Sequence, residues 1–292
     1  MDSLEFYRQF SEFTYPGLYQ EELKKLPDDV RELGKILRQN FIHRTSIEGP
    51  KGLNNSDKRF GDLSKMPWWR QPEDDILQTS GAMLTELYHR DERGFVIDRA
   101  MEDKLVLTCR YVAIMTASIL KSKGIPTRVR AGHTTYFDMG DLGDVSTDHW
   151  INQYWSNEEN RWVTIDVDGS LSITKDVDPF DIQPGEFDFA ADAWLGVRDG
   201  SLDPRHYYNA GGFYGLIVVA WSLFYDFHSL MNSEIIYMHY PKIMPKVDKL
   251  PDNISEIDEL AHLMSDPDKN FKKLQDMWED KPDLRLLRGS LL

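Results

Sequence analysis

Residues 109–123, CRYVAIMTASILKSK, constrain this chain more than any other stretch. They are apolar on most sides of a helix, and such a helix has to be surrounded by protein. Thr108 suits the N-cap, Gly124 suits the position just past the end, and Pro126 forbids continuation. The period then changes. TRVRAGHTTYF (127–137), DHWINQYW (148–155) and RWVTIDVD (161–168) read as strands, joined by the turn-rich DMGDLGDVST and SNEEN. A buried helix followed by an antiparallel, hairpin-rich sheet is an α+β pattern.

The flanks differ from this centre. Residues 21–43 carry apolar side chains at helical spacing (Val30, Leu33, Ile36, Leu37, Phe41), and 74–90 read as helix again. Between them, 49–72 are rich in Gly, Pro, Asn and Asp and read as a long irregular segment. Beyond 178 the pattern is mostly helical. FYGLIVVAWSLFY (213–225) reads as a buried helix, too short to span a bilayer and followed at once by Asp226 and His228. Ser255 with Asp258 resembles a capping box, and Asp266 with Pro267 an N-cap and first-turn pair. The organisation expected is a mostly helical region 1–100, a core 101–177 and a mostly helical region 178–292 packing on it.

Lys and Arg number 34 against 49 Asp and Glu, a net charge of 34 − 49 = −15. That argues against nucleic acid and against anionic membrane surfaces as partners. One cysteine allows no internal disulfide, and the acidic start MDSLEFYRQF is not a signal peptide. The expectation is a cytoplasmic protein.

The lone thiol, Cys109, falls where the buried helix begins. There, free N–H groups and the helix dipole favour the thiolate and can bind an oxyanion. Nucleophilic chemistry also needs a base and a group that orients it. Strand alternation offers both: His149 shares a face with Ile151, Gln153 and Trp155, and Asp166 shares one with Trp162, Thr164 and Asp168. His149 and Asp166 on neighbouring strands can pair. The carboxylate would then fix the imidazole tautomer and leave the other ring nitrogen to the thiol.

The cysteine-led helix with its GIPTR end, the DHW strand and RWVTID resemble the transglutaminase-like core of the papain-like thiol enzymes. In that core a cysteine opens a helix, a histidine precedes a tryptophan on a strand, and an aspartate follows a W-x-x-x-D pattern. The resemblance implies Cys109 as nucleophile, His149 as base and Asp166 as orienting acid, with spacings of 40 and 17 residues. AGHTTYF, DHWINQYW and RWVTIDVDG are similar to a bacterial branch of transglutaminase-domain proteins. This chain departs from that branch at His133, where an aromatic residue is usual, and near Trp221, which lacks a Gly-Asn pair. The likeness covers about 105–170 well and the first hundred residues poorly.

Each of these residues has a plainer reading. A lone cysteine is usually a packing residue. His133 rivals His149 as base, or walls the site together with Trp150 and Trp69. Asp168 rivals Asp166 but reads better as a turn residue before Gly169. Trp68 and Trp69 form a lid or simply pack. Asp138, Asp141, Asp144 and Asp148 read as a solvated acidic turn rather than a calcium site, and no metal or cofactor motif is present. The function expected is cysteine-dependent acyl transfer through a thioester, with a peptide, amide or acyl-thioester substrate and water or an amine as acceptor. The alternative is a non-catalytic peptide- or protein-binding module on the same fold.

Overall fold

A computed structural model describes residues 2–44, 66–70, 73–137, 139–171, 173, 176–209, 211–237, 239–244 and 254–287. The amino-terminal part holds helices α1 (Ser3–Arg8), α2 (Gln20–Lys24) and α3 (Val30–Asn40), strand β1 (Phe41–His43) and helix α4 (Ser80–Arg90). The helical spacing over 21–43 is therefore cut twice. Pro27 separates α2 from α3, and Asp29 starts α3 anew by accepting from the N–H groups of Arg31 and Glu32. At its far end, Phe41 leaves the helix for a strand. Most of 49–72 lies outside the described residues; Trp68–Arg70 is one turn of 3-10 helix.

Strand β2 (Leu105–Leu107) runs parallel to β1 and leads through Thr108 into α5 (Cys109–Ser122). All of α5 is buried, as its composition requires. Thr108 stands at the N-cap position, but its side chain makes no capping bond. Gly124 ends the helix at φ +78°, and the Ile125 N–H returns to the Leu120 carbonyl at 3.0 Å.

Strands β3 (Thr127–Thr134), β4 (Ser146–Ser156) and β5 (Arg161–Ile165) form the expected antiparallel ladder, joined by β6 (Phe187–Phe189). After helix α6 (Ala190–Asp199), β7 (Tyr207–Tyr208) adds a short parallel pairing to β4. The sheet order is β5-β4-β3-β6, with β7 on the free part of β4. The molecule is α+β. β1 pairs with β2 across residue 100, and β6 and β7, beyond residue 177, join the sheet of β3–β5. β3 also stops at Thr134, short of 137, and Phe137 makes only an isolated bridge to Ile173.

Small residues set the distance between α5 and the sheet. Cys109, Ala113 and Ala117 recur every four residues and lie on Val129, Ala131 and Trp150. The Asn152 side-chain amide donates to the Ala113 carbonyl at 2.9 Å, which fixes the helix along its axis. The remaining faces of α5 (Tyr111, Val112, Ile114, Met115, Ile119, Leu120) pack on Leu23, Leu33, Leu37, Leu84 and Leu87.

A second core gathers Tyr7 of α1 with α6, α7 (Leu216–Leu230), α8 (Ile254–Met264), α9 (Phe271–Asp280) and α10 (Pro282–Arg285). Of the apolar run expected as helix at 213–225, residues 216–225 form the first part of α7, while Phe213 and Tyr214 precede it and are exposed. Where β6 does not reach, Asp226 of α7 takes the Ala131 N–H at 2.9 Å and grips the buried Arg130 through two bonds of 2.8 Å. Two expected caps lie elsewhere. Ser255 is inside α8, and Asp258 accepts from Trp194 and Arg198 instead. Asp266 accepts from the Lys269 N–H in the turn before α9, while Asn270 occupies the N-cap of α9. No described helix is long and apolar enough to cross a membrane.

Candidate active site

Four separate parts of the chain meet at Cys109. The thiol sits in the first turn of α5 and is 7% exposed. Its sulfur lies 3.4 Å from the Tyr237 hydroxyl, and two imidazoles, His149 on β4 and His43 at the end of β1, are close enough to act on its charge. Arg110, next along α5, donates to the carbonyls of Glu234 and Ile235, which holds the segment carrying Tyr237 against the helix start.

His149 Nε2 lies 3.0 Å from Asp166 Oδ2, so Nδ1 is the nitrogen left for the thiol. Alternation puts the two on one face. Gln153 pairs with Thr164 and Trp155 with Trp162, and continuing that antiparallel ladder past the end of β5 sets Asp166 diagonally across from His149. Asp166 itself lies just past the end of β5 and is fully buried. Besides His149 it accepts from the Tyr136 hydroxyl at 2.9 Å and from the Gly169 N–H at 2.7 Å. Gly169 has to be glycine, because a Cβ there would stand 2.0 Å from Asp166 Oδ2. Phe137 packs edge-on against the His149 ring at 5.2 Å.

The charges follow from these contacts. Burial pushes the Cys109 thiol up, but His149 and His43 outweigh it and bring it down to about 7. Burial disfavours a charged His149, yet Asp166 and the thiolate raise it well above its ordinary value. Burial raises Asp166, and its His149, Gly169 and Tyr136 donors more than offset this, so it is lowered. Burial and the nearby thiolate raise Tyr237 well above the phenol range, so its hydroxyl keeps the proton and donates to sulfur. These shifts favour a thiolate–imidazolium pair beside an anchored carboxylate.

Of the residues singled out as site walls, Trp150 lies against Cys109, with its ring 6.0 Å from that of Tyr237 and 5.3 Å from that of Tyr225. His133 does not wall the thiol. It is fully buried, its ring lies 4.6 Å from that of Tyr207, and neither ring nitrogen has a hydrogen-bond partner among the described residues. Burial, helped by His206, drives it down to about 3, so it stays neutral. Trp69 is 63% exposed and is not a packed core residue.

Asp168 lies in the turn before Gly169, as its residue type suggests, but it is buried there and paired. It is 7% exposed, accepts from Arg38 at 2.9 Å and lies 3.5 Å from His43 Nε2. The sequence reading missed His43, Asp168 in this role, and Tyr237. The one available signal was that Asp168 shares a strand face with Asp166.

No group of three His, Cys, Asp or Glu residues among the described ones is placed to hold a metal ion, and Asp138 of the acidic turn lies outside them. No family model, curated protein or solved structure matches the chain, so the functional argument rests on these side chains themselves.

Proposed function

We propose that this chain is a cysteine-dependent acyl-transfer enzyme with a papain-like, transglutaminase-like core. The observation that carries the reading is His149 held between the Asp166 carboxylate at 3.0 Å and the Cys109 thiol. Asp166 orients the ring, the ring keeps sulfur ionised, and the start of α5 supplies backbone N–H groups for an oxyanion. The thiolate attacks the carbonyl carbon of an amide, ester or thioester, forming the C–S bond while the π pair moves to oxygen. His149 gives its proton to the leaving group as that bond breaks. Neutral His149 then takes a proton from water or an amine, which attacks the thioester and releases the thiolate.

Intact-mass spectrometry after exposure to panels of peptides, simple amides, esters and acyl thioesters tests this. The expected result is an acyl adduct on Cys109, absent from Cys109→Ala, from at least one class. Failure of every panel to acylate the protein would count against catalysis. It would favour the second reading, a binding module, for which the specific observation is the 7% exposure of Cys109 beneath Tyr237.

A further inference from the structure

Resting on the reading of Cys109 as a nucleophile, we propose that His43 is a second catalytic imidazole: it faces the same sulfur as His149 and, backed by Asp168, offers a cation to the negative charge that passes between sulfur and the oxyanion.

The placement is specific. Parallel pairing sets His43 opposite Leu107, two residues before Cys109. Its ring is close enough to the sulfur for each to shift the other's titration. Its Nε2 points to Asp168 Oδ2 at 3.5 Å, as His149 Nε2 points to Asp166. Asp168 is fixed from behind by Arg38 of α3, 2.9 Å from its other oxygen. Two imidazole–carboxylate pairs therefore converge on one thiol, their carboxylates two residues apart on one strand direction. They differ in access: the His43 side chain is 20% exposed, that of His149 4%. His43 is the more solvent-accessible of the two imidazoles.

A division of labour follows. One imidazole cannot both give its proton to the leaving group and remain a cation beside the developing oxyanion. With His149 moving the proton, His43 can keep its own. Among the described residues, the charged groups acting most strongly on His43 are Asp168, Cys109 and His149. Burial and His149 oppose its charge, Asp168 and the thiolate favour it, and the balance lies above the ordinary imidazole value.

Cys109 is the sole cysteine, so iodoacetamide alkylation across pH reports this thiol alone. His43→Gln and His149→Gln should each shift the alkylation profile to higher pH, with a fall in rate at pH 7 of roughly threefold to tenfold, and the double variant should approach an ordinary thiol. A shift in His149→Gln with none in His43→Gln overturns the role of His43 and leaves the acyl-transfer reading intact. No shift in either overturns both. A second measurement leaves His43 in place: histidine ring resonances titrated in the wild type and in Cys109→Ser. The His43 midpoint should fall when the thiolate is removed; an unchanged midpoint also overturns the proposal.

Discussion

At the scale of single residues, the site depends on a carboxylate that cannot move. Asp166 is held by three donors and roofed by Gly169. Asp166→Asn keeps the shape but loses the charge that raises His149. The rate of acyl-adduct formation should fall by about 10²–10⁴-fold, measured by intact mass over time. Gly169→Ala should act in the same direction, because its Cβ displaces the Asp166 oxygen; an unchanged rate in that variant would show that the carboxylate has room to shift. The thiol also makes stability depend on pH with a definite sign. Its folded value, about 7, is depressed below the unfolded value of about 8.5. The stabilisation is therefore present above the unfolded value and is lost as pH falls through about 7. Urea unfolding should find Cys109→Ser less stable than the wild type at pH 9, with the gap closing by pH 6.

At the scale of elements, the decisive joints are those where side chains replace ladder bonds. Asp226 ties α7 to the edge of β3 that β6 leaves open, and it neutralises Arg130 in the interior. Asp226→Ala leaves a buried guanidinium unpaired and should cost about 3–5 kcal/mol, read as a lower urea midpoint. What the sequence made legible follows the same division. The buried helix, its Gly124 end and the pairing of His149 with Asp166 could be read because each has a local period: apolar on nearly all sides for the helix, alternation for the strands. His43 could not. Helical spacing runs from Val30 through Phe41 without a break, and nothing local announces that 41–43 pair in parallel with a strand more than sixty residues away. β6 and β7, three and two residues long, are too short to show a period. Ser255–Asp258 and Asp266–Pro267 looked like caps because their residue types suit caps, but Asp258 is claimed by Trp194 and Arg198 on another helix.

At the scale of the molecule, the first helix closes the second core. Tyr7 of α1 is fully buried, donates to the Leu230 carbonyl at 3.0 Å and packs edge-on against Trp162 and near Phe271. Tyr7→Ala should destabilise the protein by about 3–5 kcal/mol. The alkylation profile of Cys109 in the folded protein should stay where it was, because Tyr7 belongs to a different core from the thiol. Differential scanning and alkylation on the same sample separate the two effects.

The thiol's activating partners come from residues 43, 149, 166 and 237, and Tyr237 is brought in by α7 and the segment that Arg110 grips. During synthesis these arrive one after another. A growing chain that has emerged only as far as α5 carries an ordinary, protonated sulfhydryl, inert toward neighbouring carbonyls. The shifted acidity of Cys109 therefore needs the chain folded at least as far as residue 237.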